Sequence, residues 1–477
     1  MNDTYFPITQ IPDSVQSLRE AFQSGRTRSL DWRLEQLDGI LRFLKERQAE
    51  ILEALRIDLG KPRFDALVSE VVGVEMDVLH VRRSLSRWMR PEKVSTPFIH
   101  WPARSSIHKE PVGVVLIIAP WNYPLQLCLG PLVGALAAGN VAVVKPSELS
   151  PATSALLSEH LPKYLDPNAV RVVQGAVEET TALLEQKFDH ILYTGNGRVA
   201  RIVMRAAAEH LTPVTLELGG KSPAIVDSSA DLKVAAKRLV WAKCFNCGQT
   251  CVAPDYVLVE ESVQERLLDE MASAVKTFYG PDPQSHSQYA RIINDHHFRR
   301  LMGLLDGEHR VVCGGHGDQS DCYIHPTILA DVAHDAKVMA EEIFGPILPV
   351  LSVPGVNEAV EFINQRPKPL ALYVFSNSKQ VQHQVLKSTS SGGAVINHCM
   401  LHNLVPELPF GGIGESGMGA YHGRASFDTF SHRKSVLEKP MGWDTFVLYP
   451  PYTRRLTGFT ERLLKLWRLL RRDRPGS

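Results

Sequence analysis

Val112-Gly113-Val114-Val115-Leu116-Ile117-Ile118-Ala119, followed by the apolar stretch Leu125 to Ala138 and then by Asn140-Val141-Ala142-Val143-Val144-Lys145, decides the fold. The two flanking runs are short, continuous and largely β-branched, as strands buried on both faces of a parallel sheet are. Parallel neighbours need a crossover, and Leu125 to Ala138 is long and apolar enough to be that helix. Toward the C-terminus, further strands are expected at 170–173, 190–193 and 213–216, with helical stretches between them. This alternation predicts a doubly wound α/β sheet. Such sheets bind ligands beyond the carboxyl ends of their strands. The alternation resumes from about Gly219 to Phe410, with strands expected at 222–226, 256–259, 347–353, 372–375 and 393–397. Toward the N-terminus, Ile11 to about Trp88 reads as helices, because Leu34, Leu37, Ile40, Leu41, Phe43 and Leu44 recur at helical spacing among charged residues.

A chain of 477 residues is too long for one ordinary core, so two or three associated lobes are expected. Lys+Arg 52 balances Asp+Glu 52, which gives no reason to invoke nucleic acid as a partner. The longest apolar runs fall far short of the roughly 20 residues that span a bilayer. Met1 to Gln10 carry no basic segment followed by an apolar one, so a secretory signal is not expected. Seven cysteines, three of them at 244, 247 and 251, suit free thiols in a reducing compartment, and a cytoplasmic location follows as the expectation.

Chemistry concentrates in a few segments. Asn246-Cys247-Gly248-Gln249-Thr250-Cys251 ends thirty-four positions (251 − 217) after Glu217, which opens Glu217-Leu218-Gly219-Gly220-Lys221. A thiolate attacks carbonyls where a thiol does not, so a nucleophilic Cys251 calls for a base and a polar, partly exposed setting. The small polar neighbours are expected to supply that setting, and Glu217 is a candidate base. Free cysteines are more often small core residues, and that reading is kept for Cys244 and Cys247. A zinc site on Cys244-x-x-Cys247 lacks a second pair of ligands at suitable spacing, so no metal is expected. Asn122, in Pro120-Trp121-Asn122-Tyr123-Pro124, either donates its carboxamide N–H to an oxyanion together with the Cys251 N–H, or simply makes a turn. Thr194-Gly195-Asn196-Gly197-Arg198-Val199-Ala200 joins a strand to a helix, where N–H groups and the helix dipole suit a pyrophosphate.

Gly-Gln-Thr-Cys after Glu-Leu-Gly-Gly-Lys resembles the signature of the aldehyde dehydrogenase superfamily. Lys145-Pro146-Ser147-Glu148, Glu341-Glu342-Ile343-Phe344-Gly345-Pro346, Pro409-Phe410-Gly411-Gly412 and Ser416-Gly417-Met418-Gly419 extend the resemblance from about Ser29 to Lys439. Asn196, the Ser-Gly-Met-Gly-x-Tyr-His-Gly wording and the run from Asn246 to Tyr256 look like class 3, in its fatty aldehyde branch. The resemblance implies an α/β fold of two doubly wound lobes, one Rossmann-like and NAD-binding, the other catalytic, plus a β oligomerisation arm. It divides the chain into a cofactor domain at 1–217 with a bridging hairpin near 90–110, a catalytic domain at 218–410, a return to the cofactor lobe with a dimer-bridging strand at 411–440, and a tail at 441–477.

It further implies that Cys251 attacks an aldehyde, that Asn122 helps hold the oxyanion, and that a thioester is hydrolysed by water activated by Glu217, with Glu342 the alternative base. NAD or NADP would be held by Lys145 and Glu148 at the adenosine ribose, by Gly195 and Asn196, by Trp121, and by Glu342 and Phe344 at the nicotinamide end. Ala200 and Gly197 depart from the usual glycine and threonine, which leaves the seat of the pyrophosphate open. Medium or long aliphatic aldehydes are the expected substrates, with aromatic aldehydes of the coniferyl aldehyde type as the alternative. A homodimer is expected. Two other classes compete: transfer to coenzyme A, disfavoured because acylating relatives tend to lack Glu217, and a non-enzymatic binding role. In the tail, Leu456, Phe459, Leu463, Leu464, Trp467 and Leu470 fall at helical spacing among Arg455, Arg462, Lys465, Arg468, Arg471 and Arg472. Such a helix suits peripheral contact with the inner face of a membrane, or docking on the dimer.

Overall fold

The computed structural model describes residues 5–444 and 448–472, and its contacts divide the chain into two units. The larger comprises residues 1–90 and 109–432; the smaller comprises 91–108 and 433–477.

Within the larger unit, Val114–Ile118, Val141–Lys145, Val170–Val172, His190–Thr194 and Val214–Glu217 form a parallel sheet. Val114–Ile118 lies at its centre, between Val141–Lys145 and His190–Thr194. The chain winds outward on one side through residue 172, then returns to wind outward on the other. That reversal leaves a crevice at the carboxyl ends of the central strands. All five residues of Val114–Ile118 are buried, as the β-branched run requires. The crossover helix, Gln126–Ala138, is apolar all round and accordingly buried from Leu127 to Ala138. Gly417–Met418 adds a sixth strand, antiparallel, with Gly417 opposite Glu217. Gly417 has φ 154, and a Cβ there would press on the Leu216 carbonyl at 2.5 Å, so only glycine lets the late chain reach this edge.

A second sheet has the spatial order Arg310–Cys313, Thr327–Ala330, Ile347–Val353, Tyr256–Glu260, Pro223–Val226, Ala371–Phe375, Gly393–Ile396. It is parallel except at the first pair. The first two strands were not anticipated. Arg310–Cys313 is a half-exposed edge beginning in arginine, and Thr327–Ala330 is only four residues long, so neither shows a clear period.

The N-terminal helices include Ile11–Gln23, Leu30–Glu46 and Gln48–Leu59. The next runs from Arg63 to Trp88 and is interrupted by a π-helical segment at Leu67–Val72. Its wider turn carries Glu70, which is completely buried.

The smaller unit holds most of a three-stranded sheet, with Arg104–Pro111 between Glu92–Val94 and Ser431–Glu438. An Arg433–Glu92 ion pair at 3.1 Å and an edge-to-face contact of Trp101 on Trp443 belong to it. Its helix Arg454–Arg472 exposes Phe459, Leu463, Leu464, Leu466 and Trp467. The side chains of Leu470, Arg471 and Arg472 lie outside the described residues.

Candidate functional site

Cys251 follows a turn that reverses the chain after the helix Leu232–Cys244. Asn246, Cys247 and Gly248 adopt φ values of 50, 54 and 73 in succession, all left-handed. Asn tolerates this region through local hydrogen bonding, and Gly without strain. The Asn246 Nδ2 group donates to the carbonyls of Asn122 at 2.9 Å and Gln249 at 3.1 Å. Gln249 donates to the Asn246 and Arg291 carbonyls and accepts from the Ile293 N–H. Thr250 and Tyr123 share a hydroxyl–hydroxyl bond of 2.6 Å. Asn246, Gln249 and Thr250 are buried and occupied in holding the loop.

The expectation that they give the thiol a polar setting is therefore corrected: their amides point at backbone. Half-buried Cys251 instead lines a cavity of about 350 Å³ walled by Phe64, Val68, Trp241, Phe245, Phe410 and Tyr421.

Two carboxyl groups stand near the thiol. Glu217 ends the strand Val214–Glu217 and is 2% exposed, and among the described residues neither of its oxygens has a hydrogen-bond partner. Burial lifts its pKa well above the carboxylate range. Glu342 follows the short helix Lys337–Ala340 in a loop, with its carboxylate folded against Gly219, where any Cβ would overlap it. Burial and then Asp255 raise Glu342 to about 8, against the opposing pull of the Gly220 N–H, Lys221 and Lys243. Burial, then Glu342, then Glu217 push Cys251 up to about 12, while the Cys251 and Val252 N–H groups act in the other direction. The thiol is thus protonated at neutral pH and needs an acceptor. The same burial favours the protonated form of both carboxyl groups near neutral pH, and ionising either one holds the thiol up further, so the three groups titrate as a unit.

Asn122 leaves the central strand Val114–Ile118 in the first turn beyond its carboxyl end and is 3% exposed. Its Nδ2 donates one N–H to the Gln249 carbonyl at 3.0 Å, and among the described residues its other N–H and its buried Oδ1 have no partner. Its backbone carbonyl accepts from Lys61 Nζ at 3.0 Å as well as from Asn246. Lys61, Glu70, Asn246 and Tyr123 were missed as members of this site. Gly60-Lys61-Pro62 reads as an exposed turn, and no local signal places its ammonium in the interior.

The residues expected at a dinucleotide gather at the crevice. Lys145 ends its strand, is buried, and pairs with exposed Glu148 at 3.1 Å. Gly195 follows the His190–Thr194 strand and donates its N–H to the Glu217 carbonyl at 3.0 Å. Asn196 caps the helix Gly197–Glu209 by accepting from the Val199 N–H at 3.0 Å. No acidic residue occupies that helix's first turn, so its positive end is free for an anion. Ala200 is buried, so its methyl group belongs to the helix packing rather than to the anion seat. Trp121 meets Phe344 edge to face at 5.4 Å. Glu342 packs against Gly219 and acts electrostatically on Cys251. Three adjacent strand ends, a free helix N-terminus and an aromatic pair suit a dinucleotide laid across the crevice.

A family profile described as Aldehyde dehydrogenase family matches residues 8–436. The chain is 53% identical over 445 residues to aldehyde dehydrogenase family 3 member B1 of Bos taurus, covering 93% of this chain and 95% of that one. It is 50% identical over 434 residues to the dimeric NADP-preferring aldehyde dehydrogenase of Rattus norvegicus, covering 91% and 96%. Among solved structures it superposes on the substrate-bound state of Staphylococcus aureus AldH with a TM-score of 0.92, at 43% identity, covering 94% of this chain and 99% of that one.

Proposed function

Since the chain belongs to the aldehyde dehydrogenase family, in its class 3 branch, and is an NAD(P)-dependent oxidoreductase acting on aldehydes, we propose that Cys251 carries the reaction and that aliphatic aldehydes of medium or long chain are its substrates. The observation that carries this reading is the largely apolar cavity lined by Cys251, with two carboxyl groups of raised pKa and a carboxamide N–H beside it. Aromatic and aliphatic walls gain roughly 25 cal/mol for each Å² of hydrocarbon they take from water, which rewards a long chain.

The Cys251 thiol gives up its proton as the sulfur–carbon bond forms, to a neighbouring carboxyl group in its ionised form, which rising pH favours. The aldehyde oxygen becomes an oxyanion, which the free Asn122 N–H and the Cys251 N–H stabilise. NAD(P)+, when bound, supplies the hydride acceptor that makes the adduct a thioester. Lys145, Glu148, Gly195, Asn196, Trp121, Glu342 and Phe344 are the residues that would hold it. Glu217, whose oxygens have no partner among the described residues, is the proposed base for the water that cleaves the thioester, a role it fills in its ionised form, which rising pH favours. Glu342, packed on Gly219, is the alternative base for that step.

A homodimer is supported by the name of the rat relative and by the place of Ser431–Glu438 at the edge of its sheet among the described residues. The seven free cysteines support a cytoplasmic location. Among the described residues no helix is long and apolar enough to cross a membrane. The exposed apolar stripe and basic flanks of Arg454–Arg472 support peripheral contact with an anionic membrane surface.

Reduced-cofactor formation across aliphatic aldehydes from short to long, with aromatic aldehydes beside them, tests the substrate class. We expect kcat/KM to rise with chain length; a clear preference for aromatic aldehydes would overturn this part. Cys251→Ala should abolish turnover with cofactor binding intact, and unchanged turnover removes Cys251 as nucleophile.

A further inference from the structure

Lys61 and Glu70 form an ion pair at 2.5 Å with both side chains completely buried. Taking two charges out of water costs several kcal/mol per ion, and such a pair seldom adds net stability over an apolar replacement of the same volume. Where its remaining hydrogen bonds go is therefore informative. Lys61 Nζ donates to the Asn122 carbonyl at 3.0 Å and sits 4.2 Å from the centre of the Tyr123 ring. The other Glu70 oxygen accepts the N–H groups of Leu125 at 2.9 Å and Gln126 at 3.0 Å, where the helix Gln126–Ala138 begins. Each remaining contact of the pair thus falls on residues 122–126, the turn that presents the Asn122 carboxamide.

The local backbone is shaped to deliver both partners. Gly60, at φ 58, ends the helix Gln48–Leu59 in a left-handed cap and turns Lys61 inward. The π-helical segment Leu67–Val72 carries Glu70. A π segment costs helix regularity and recurs at functional sites, which an ion pair serving folding alone would not require.

We propose that the Lys61–Glu70 pair is a positioning device for the oxyanion donor: it clamps the Asn122 carbonyl and the following helix start, and so fixes the plane from which the Asn122 carboxamide projects. This rests on reading Asn122 as the oxyanion donor. Neither Lys61 nor Glu70 touches the substrate. Through Tyr123 the clamp also reaches Thr250, next to Cys251, so donor and nucleophile share one support.

The test is a cycle of three variants: Lys61→Met/Glu70→Gln, Asn122→Ala, and all three changes together. The readout is the first-turnover rate of reduced-cofactor formation, with aldehyde KM, cofactor affinity and thermal midpoint measured alongside. Asn122→Ala should lower the rate by about 100- to 1,000-fold. The double variant should lower it by about 10- to 100-fold with KM and cofactor affinity nearly unchanged, as a misaligned catalytic group does. The combined variant should be no slower than Asn122→Ala within about twofold, because the clamp has nothing left to position. A merely structural pair would give losses that multiply, and that result overturns the inference while leaving Asn122 as donor. A double variant with the parent rate overturns it equally. A near-parent rate for Asn122→Ala would instead remove the oxyanion reading itself. Should the double variant not fold, Glu70→Gln, which keeps shape and one acceptor, carries the same cycle with the same criteria.

Discussion

Asp65 lines the cavity in front of Cys251 beside Phe64 and Val68, and no cation pairs with its carboxylate among the described residues. Lys61, the nearest source of positive charge, is committed to Glu70 and the Asn122 turn. Burial accordingly raises Asp65 to about 6 from an ordinary 3.8, with Lys61 opposing. A carboxyl group raised on folding keeps its proton in the native state between those two values, where the unfolded chain has released it. Stability therefore falls as pH rises through that window, and the cost persists above it. At about 1.4 kcal/mol per pKa unit, trimmed for solvent contact at a part-exposed site, the cost near pH 7.5 is about 2 kcal/mol. Asp65→Asn should recover that amount in chemical denaturation at pH 7.5, with the gain shrinking to a few tenths of a kcal/mol near pH 4. A gain of equal size at both pH values would show that charge burial is not its source.

The elements that place the site differ in how plainly the sequence announces them. Val114–Ile118 and Val141–Lys145 were legible because β-branched runs buried on both faces admit few other readings, and the helix between them was fixed by the need for a crossover. Cys251, Glu217 and Asn122 were legible as chemical types in recognisable motifs. Their surroundings were not, since a motif names residues without saying which way they face: Asn246, Gln249 and Thr250 look like a solvated loop and are in fact buried supports. The π segment at Leu67–Val72 was invisible because its residues fit an α-helical pattern equally well. The turn Asn246-Cys247-Gly248 shows how local and distant terms combine. Gly248 has φ 73, and a Cβ there would strike the carbonyl of Gly345, in the segment that bears Glu342 and Phe344. Gly248→Ala adds about 1 to 2 kcal/mol of left-handed strain to that collision. It should lower the thermal midpoint by several degrees and displace Cys251. Iodoacetamide labelling of Cys251 and steady-state turnover should both change, with cofactor affinity retained. Turnover equal to the parent's would show that the close approach of the two motifs is dispensable.

At the scale of the whole molecule, the tail sets a balanced chain apart from a locally basic one. Lys+Arg 52 equals Asp+Glu 52 over the full sequence, yet the helix Arg454–Arg472 has Glu461 as its sole acidic residue among Arg454, Arg455, Arg462, Lys465, Arg468, Arg471 and Arg472. Phe459, Leu463, Leu466 and Trp467 fall four, seven and eight positions along one stripe, each about half exposed. An exposed apolar stripe with basic flanks is costly in water and matched to an anionic interface, where each basic residue near the surface contributes about 1 kcal/mol. The long-chain aldehydes proposed as substrates partition into membranes, so the proposed contact would keep the enzyme near their source. The full chain should therefore cosediment with vesicles containing phosphatidylserine, weakly with neutral vesicles, and less as salt rises, because screening shortens the reach of the basic residues. Deleting the residues after Pro451 should abolish cosedimentation while leaving kcat/KM on a short, water-soluble aldehyde within about twofold of the full chain, since every residue assigned to the chemistry lies elsewhere. Equal cosedimentation with and without the tail would assign the helix to docking on the protein itself; in that case the deletion should instead shift the dimer–monomer balance seen by light scattering.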